Sequence, residues 1–176
     1  MNDKVLRWLK LTPQVLSALL DHDLEAASAL LGVPLGPFFL TEEALWLWRY
    51  RLDQMRRDPA SAAWVARAVA AEPAGVVVGY AGFHGPPDEA GMVEVGYSVD
   101  PAHRRQGYAT AMLRDLLEEA GSHAGVQTVR ATIRPDNSAS LATIRPFGFR
   151  EVGEQWDEID GLELIFERPA RTPLDR

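Results

Sequence analysis

The chain has 176 residues, 47% hydrophobic and 24% charged, enough for one globular domain with a sizeable core. It has no cysteine, which excludes disulfides, thiolate metal sites and a cysteine nucleophile. A net charge of −7 disfavours nucleic acid as a partner, and the absence of a bilayer-length apolar run or signal-peptide pattern makes the cytoplasm the expected location.

Residues 1–10 carry mixed charge with Val5, Leu6, Trp8 and Leu9, and residues 9–11 read as a first strand. Thr12 and Pro13 open a helix, the threonine as cap and the proline in the first turn. Its apolar stripe is Val15, Leu16, Leu19 and Leu20. Asp21-His22-Asp23 interrupts before a second helix over residues 24–31, which Gly32 ends, and residues 33–37 are an irregular link. Thr41 caps a third helix that has Glu42 and Glu43 in its first turn and runs to about Arg57. Trp46 and Leu52 are expected in the core, whereas Trp48, Tyr50 or Phe38 are candidates to line a ligand pocket.

Residues 58–61 form a loop. Residues 62–71 are rich in alanine, a helix former, but the turn Glu72-Pro73-Ala74-Gly75 and the β-rich residues 76–83 assign them as the first arm of a hairpin. Gly79 and Gly82 point to a bulge or a close approach to the backbone. Residues 86–91 turn the chain into a strand over residues 92–99, ended by Asp100-Pro101. Residues 109–120 are helical, with Ala109, Met112, Leu113, Leu116, Leu117 and Ala120 on one face. After a flexible connection, residues 126–133 alternate as a strand, and the intervening helix lets it run parallel to residues 92–99. A short helix spans Asn137 to about Ile144, capped by Asp136 or Asn137. Pro146 is expected to force Arg145 out of helical geometry. Residues 149–156 and 162–168 make a last hairpin around Asp160-Gly161, and residues 169–176 read as a loose tail.

Between the strand ending at Val99 and the amphipathic helix lies His103-Arg104-Arg105-Gln106-Gly107-Tyr108-Ala109-Thr110. A strand, a basic glycine-containing turn and a helix start make an anion site, because free backbone N–H groups and the positive end of the helix dipole converge there. Gly107 lets a phosphate approach the backbone, and Arg104 and Arg105 add charge in a geometry that suits phosphate oxygens.

The spacing Arg104-x-x-Gly107-x-Ala109 resembles the Arg/Gln-x-x-Gly-x-Gly/Ala signature of the GNAT N-acetyltransferases. Glu94 and Gly96-Tyr97 before it, Arg134-Pro-Asp-Asn137-x-x-Ser140 after it, and Phe147-Gly148-Phe149 before a late strand extend the resemblance over roughly Ala63 to Arg168. Within that superfamily the chain looks closest to the branch that includes ribosomal-protein N-terminal acetyltransferases. The resemblance implies an α/β (α+β) fold: a mixed, mostly antiparallel central sheet with a splay between two parallel strands and helices on both faces. It implies a single acetyl-CoA-dependent domain over residues 1–176, with a mainly helical substrate-side region at 1–60, the core at 61–168 and a tail at 169–176. Acetyl-CoA is then the co-substrate. Its pyrophosphate would rest on Arg104, Arg105, Gln106, Gly107, Tyr108, Ala109 and Thr110, with Asn137 a further contact. A backbone N–H near Val99 would polarise the thioester carbonyl. The implied partner is a small-molecule or peptide amine, with no metal, nucleic acid or membrane, and a homodimer is left open.

Forming an amide from a thioester requires that the amine lose a proton, that the carbonyl oxygen meet a donor, and that the thiolate be protonated or stabilised. Glu94, one carboxylate on an otherwise apolar strand, is the candidate base, acting directly or through water. A strand-edge acid facing solvent has the same pattern, and alternation does not separate the two. The resemblance favours the base, because many relatives place a base glutamate on this strand. In many relatives a tyrosine that protonates the thiolate occupies the position of Ile144, so this chain departs from the pattern. Ser140, one helical turn from Asn137, is the side-chain candidate for the acid, although a surface serine reads the same way. Asn137 reads equally as a helix cap, which is compatible with a ligand contact.

Among His22, His84, His103 and His123 no pair has zinc-ligand spacing, and each reads first as an exposed polar residue. His84 is retained as a candidate because it lies beside the central strand. Arg134 and Arg145 read as structural partners or phosphate contacts. Two other functions stand beside this one. One is a non-catalytic acyl-CoA-binding module on the same fold, which the missing tyrosine favours. The other is a nucleotide-phosphate binder using the basic turn alone, without the lysine-containing phosphate loop.

Overall fold

The computed structural model describes residues 4–65 and 67–174. Seven strands form a mixed sheet: β1 (Leu6–Lys10), β2 (Arg67–Ala71), β3 (Val76–Phe83), β4 (Met92–Val99), β5 (Thr128–Ile133), β6 (Arg150–Asp157) and β7 (Gly161–Pro169), in the order β1-β2-β3-β4-β5-β7-β6. The helices are α1 (Pro13–Leu20), α2 (Leu24–Leu31), α3 (Glu42–Arg57), α4 (Tyr108–Ser122) and α5 (Ser138–Ile144). β1 with β2, β2 with β3, β5 with β7 and β6 with β7 pair antiparallel, whereas β4 and β5 run parallel. α4 supplies the crossover that a parallel pair needs. The expected mixed, mostly antiparallel sheet therefore forms. No helix among the described residues is long and apolar enough to cross a membrane. The chain forms two compact units, Met1–Gly82 with Tyr97–Met112, and Phe83–Gly96 with Leu113–Arg176.

The first unit is built on three capped helices. Thr12, Asp23 and Thr41 each accept a first-turn backbone N–H, from Val15, Ala26 and Ala44. Such caps satisfy donors that the helix itself cannot. Gly32 ends α2 in the left-handed conformation, at φ +77°. α3 buries Ala44, Trp48, Leu52 and Met55, an i, i+4, i+8, i+11 stripe, together with Arg51. They join Leu11, Val15, Leu16, Leu19, Phe39 and Tyr80 in one core. Trp48 stacks on Phe39 at 5.8 Å between centroids and donates its indole N–H to the Phe39 carbonyl at 2.8 Å. This corrects the sequence expectation for the aromatics. Trp48 is core, and Trp46 lies off the stripe, 47% exposed, stacked on Tyr50 at 5.5 Å.

β1 starts earlier than expected, and Leu11 is a buried residue after its end. Met1 to Asp3, part of the mixed-charge segment, lie outside the described residues. The strand expected over residues 62–71 is shorter, because Pro59–Ala63 make a 3-10 turn. The Asp58 carboxylate accepts the Ala60 N–H at 3.1 Å, and the buried Ser61 hydroxyl donates to the Asp58 carbonyl at 2.7 Å. These local bonds compete with extended structure. Ala66 lies outside the described residues. In the β2–β3 hairpin the register shifts between Val69 and Ala70, next to Gly79. A Cβ on Gly79 would run into the Ser98 carbonyl, so the bulge and the close approach expected from this glycine both occur.

In the second unit β5 alternates, with Val129, Ala131 and Ile133 buried and Thr128, Arg130 and Thr132 on the other face. It pairs with β7 along its whole length. The parallel pairing with β4 covers only Met92–Val93–Glu94 against Thr128–Val129–Arg130, although both strands continue. That early stop is the splay expected of the sheet. Asn137, not Asp136, caps α5 by accepting the Ser140 N–H at 3.1 Å. Arg145 keeps helical dihedrals, φ −51° and ψ −45°, contrary to the expected effect of Pro146. The chain tightens into a 3-10 turn, Arg145–Phe147, in which proline occupies an early position and needs no N–H partner. The tail is not loose up to Thr172. Ala170 is buried and donates to the Gln127 carbonyl at 2.8 Å. The buried Arg168 guanidinium donates at 2.6 Å to both Phe147 and Thr172 carbonyls. Asp175 and Arg176 lie outside the described residues.

Candidate functional site

The basic loop occupies the end of the first unit. Asp100 caps a 3-10 turn, Pro101–His103, by accepting the Ala102 N–H at 2.9 Å. Arg105 and Gly107 then take left-handed backbone dihedrals, φ +60° and φ +85°. Such turns gather successive N–H groups into a concave donor surface, and α4 begins at once with Tyr108. No heavy atom lies within 4 Å of where a Cβ on Gly107 would stand, so the loop face there is open. Arg104 donates from Nε to the Val99 carbonyl at 3.0 Å, which ties the loop to the strand it leaves. Gln106 bonds the Ala102 carbonyl at 3.4 Å. Arg104, Arg105, Gln106 and Gly107 are exposed, while Tyr108, Ala109 and Thr110 are half-buried in the first turn of α4. A pyrophosphate fits this donor set: backbone N–H groups, a helix start, and the exposed guanidinium of Arg105. Val99 is buried, and its carbonyl is taken by Arg104.

Close to this loop in the first unit, Tyr80 stacks on Phe38 at 5.2 Å. Burial pushes its hydroxyl pKa up to about 12, against a hydrogen bond with Ser98 that lowers it. Elsewhere in the unit an open groove of about 450 Å³ is lined by Leu20, Trp46, Arg49, Tyr50, Asp53 and Arg56, among others. Of the aromatics proposed for a pocket, Tyr50 lines this groove, Phe38 packs on Tyr80, and Trp48 is core.

In the second unit Glu94 has a side chain only 19% exposed, so it is not an acid facing solvent. Its Oε1 accepts the Thr132 hydroxyl at 2.5 Å and lies 3.6 Å from His84 Nδ1. The His84 backbone N–H donates to the Glu94 carbonyl at 2.8 Å. On β7, burial raises the carboxyl pKa of Glu163, opposed by a hydrogen bond from Gln155 and reinforced by nearby negative charge that includes Glu94. Thr132 is the residue that sequence reasoning missed. In an alternating strand a threonine signals only β propensity. What identifies it is the parallel register seen in the structure, which sets Arg130 opposite Glu94 and so places Thr132 on the same face.

Asn137 is exposed and Ser140 half-buried, joined by the helix-cap bond. Ile144, at the position of the tyrosine in many relatives, is buried. Arg134 forms a pair with Asp136 at 2.7 Å, and its guanidinium holds that carboxyl below the usual range. Among the described residues no group of three or more His, Cys, Asp or Glu side chains could hold a metal ion.

A family model described as an acetyltransferase (GNAT) domain matches residues 15–150. The chain belongs to the GNAT acetyltransferase family. Among its GNAT relatives, the uncharacterized N-acetyltransferase YjdG of Bacillus subtilis is 38% identical over 73 residues, 42% of this chain and 44% of that protein. N-alpha-acetyltransferase RimI of Mycobacterium tuberculosis is 40% identical over 89 residues, 48% of this chain and 52% of that protein. The chain thus spans about half the length of these relatives. The solved GNAT-fold structure of Mycobacterium smegmatis RimJ in complex with CoA-disulfide has a TM-score of 0.65 over 94% of this chain and 82% of that one. At 19% identity this is a likeness of fold.

Proposed function

We propose that this chain is an acetyl-CoA-dependent N-acetyltransferase, a single domain that passes an acetyl group to a primary amine by direct attack while both substrates are bound. The observation that carries the reading is the paired left-handed turn at Arg105 and Gly107 opening directly into α4. The N–H groups of that loop and of Tyr108, Ala109 and Thr110, with the Arg105 guanidinium, would hold the pyrophosphate. Arg104 fixes the loop through the Val99 carbonyl. Bound acetyl-CoA supplies an activated thioester. A backbone N–H near Val99 serves the carbonyl oxygen, and Glu94 is the carboxylate that drives loss of the amine proton. Asn137 adds a contact beyond its capping role, and Ser140 is the side-chain candidate to return a proton to the thiolate. The acceptor class we favour is the α-amine of a peptide, in keeping with the M. tuberculosis relative, an N-alpha-acetyltransferase.

The test is calorimetric titration of acetyl-CoA into the wild type and an Arg104→Ala, Gly107→Asp double variant, both shown folded by circular dichroism. Binding by the wild type that is lost in the variant supports the site, and no binding by the wild type overturns it. The buried Ile144 favours one rival, a non-catalytic acyl-CoA-binding module. Release of free thiol in the presence of a short peptide with an N-terminal alanine separates the two.

A further inference from the structure

β7 alternates, so Glu163, Ile165 and Glu167 share a face. The β5–β7 register sets Thr132 opposite Ile165 and Arg130 opposite Glu167, and the β4–β5 register sets Glu94 opposite Arg130. Glu94, Thr132 and Glu163 therefore stand on one side of the sheet, with the Thr132–Ile165 pair between the two carboxylates. The two acids that β7 places on that side have different surroundings. Glu167 is neutralised by Arg130 at 2.6 Å. Glu163 is half-buried and accepts the side-chain amide of Gln155, opposite it on β6, at 2.9 Å. Among the described residues no ion pair neutralises it. Arg134, the cation just past β5, is engaged with Asp136. The charges that act on Glu163 come from Asp157, Asp160 and Glu94, and all are negative. Asp157 is itself tied into the hairpin turn, accepting the Ile159 and Asp160 N–H groups at 2.7 and 2.9 Å. A partly dehydrated carboxylate, oriented by an amide and facing only negative charge, is unfavourable for the fold. It is favourable for a cation that arrives from outside.

We infer that Glu163 is a specificity-determining residue of the acetyl transfer, binding a second cation of the acceptor on the side of the sheet where Glu94 serves the reacting amine. The inference rests on the reading of Glu94 as the carboxylate of that transfer. It names the acceptor class as a peptide with arginine or lysine at its second or third residue. In such a peptide a short, flexible tether joins the α-amine to a cationic side chain. Two carboxylates separated by one cross-strand pair suit two charges joined in this way. A neutral neighbour leaves Glu163 without a counter-charge, and an acidic one adds like-charge repulsion, so selection acts in both directions. Glu163 makes no covalent bond and moves no proton. Gln155 is a positioning residue, whose amide fixes the rotamer of the Glu163 carboxylate.

The experiment follows thiol release from acetyl-CoA with tetra-alanine, with the same peptide carrying arginine at its second or at its third residue, and with one carrying glutamate at its second. Arginine supplies the cation without a second nucleophilic amine. The wild type is compared with Glu163→Gln, Gln155→Ala and Glu158→Gln, all checked for folding. Glu158 is an exposed acid in the turn of the same hairpin and controls for general charge. Wild-type kcat/KM should be about tenfold or more higher for an arginine peptide than for tetra-alanine, and lowest for the glutamate peptide. Glu163→Gln should bring the arginine-to-alanine ratio to within about twofold of unity, chiefly through KM for the peptide. Gln155→Ala should lower the ratio part-way, and Glu158→Gln should keep it. A wild type that turns over the peptides without distinguishing them would overturn the proposal. So would a Glu163→Gln variant that keeps the full ratio, or a Glu158→Gln variant that loses as much of it as Glu163→Gln. Glu94→Gln should instead lower the rate for every peptide alike. A wild type that releases no thiol with any peptide overturns the underlying transfer reading, and this one with it.

Discussion

Thr132 donates its hydroxyl to Glu94 Oε1 at 2.5 Å, one alternation beyond the last main-chain pair between β4 and β5, which is Glu94 with Arg130. A side chain thus bridges the strands where the backbone ladder ceases. The bond fixes the carboxylate rotamer, and a hydrogen bond to a charged group contributes about 1.5–3 kcal/mol. Thr132→Val, which keeps the shape and removes the donor, should lower kcat roughly tenfold or more on that scale while leaving acetyl-CoA affinity unchanged. Thr132→Ser should recover most of the rate. Steady-state kinetics with a peptide amine check this, and an unaltered Thr132→Val rate would detach the threonine from the chemistry.

Gly107 sits at φ +85° with open space beside it, so a substitution there meets backbone strain rather than a clash. A left-handed conformation costs a β-branched residue about 1–2 kcal/mol. Gly107→Val should therefore lower the melting temperature by a few degrees and also weaken acetyl-CoA binding, as the side chain covers the N–H surface. Gly107→Asn, which tolerates this region, should retain the fold and most of the binding. Isothermal titration and thermal melts read both.

Trp46 and Trp48 stand on opposite sides of α3 and should respond in opposite ways. Trp48→Ala removes a fully buried ring and strands the Phe39 carbonyl, so a cost of about 3–5 kcal/mol is expected. Trp46→Ala removes an exposed ring stacked on Tyr50 and should stay within about 0.5 kcal/mol of the wild type. Urea denaturation gives both values.

Glu163 carries a carboxyl whose pKa burial raises. A raised folded-state pKa means that the folded chain holds this proton more tightly than the unfolded chain. Stability from this group is then present at pH below the unfolded carboxylate pKa and declines as pH rises through the folded value. Glu163→Gln removes the charge that burial penalises. Its melting temperature should exceed that of the wild type at about pH 7 and match it at about pH 3, where both side chains are neutral. A gain of equal size at both pH values would contradict the burial argument.

Much of the architecture was legible because local chemistry and global pattern agreed. Thr12 and Thr41 cap the helices expected of them, Asn137 takes one of the two cap positions the sequence left open, and Gly32 and Gly148 take the left-handed turns that glycine permits. The parallel strand was read from the helix between its partners. The failures share a cause: two readings had similar local merit, and packing chose. Trp46 and Trp48 are identical by type, and only the stripe through Ala44, Leu52 and Met55 separates them. Pro146 disfavours a helical residue before it, yet Arg145 remains helical within a tightened turn. Arg168, which the sequence placed only as the last residue of the final strand, is buried because distant carbonyls of Phe147 and Thr172 converge on it. At the site, the basic loop was legible as strand, glycine turn and helix start. The partners of Glu94 were not, since they come from β5 and from the residue after β3 and depend on register.

β5 has neighbours on both sides over Thr128–Arg130, and its ladder continues over Ala131–Ile133 with β7, past the last β4 pair. Strand amides exchange with deuterium according to how firmly each is tied. A single strand of this protein should therefore show two protection regimes, slow near Val129 and faster, for those amides directed toward β4, beyond Arg130. The step between them is an internal marker requiring no label. An extended amide-bearing ligand lying along the opened edge would erase the step by slowing the second group, so the exchange pattern of β5 would report occupancy, residue by residue, before any product forms.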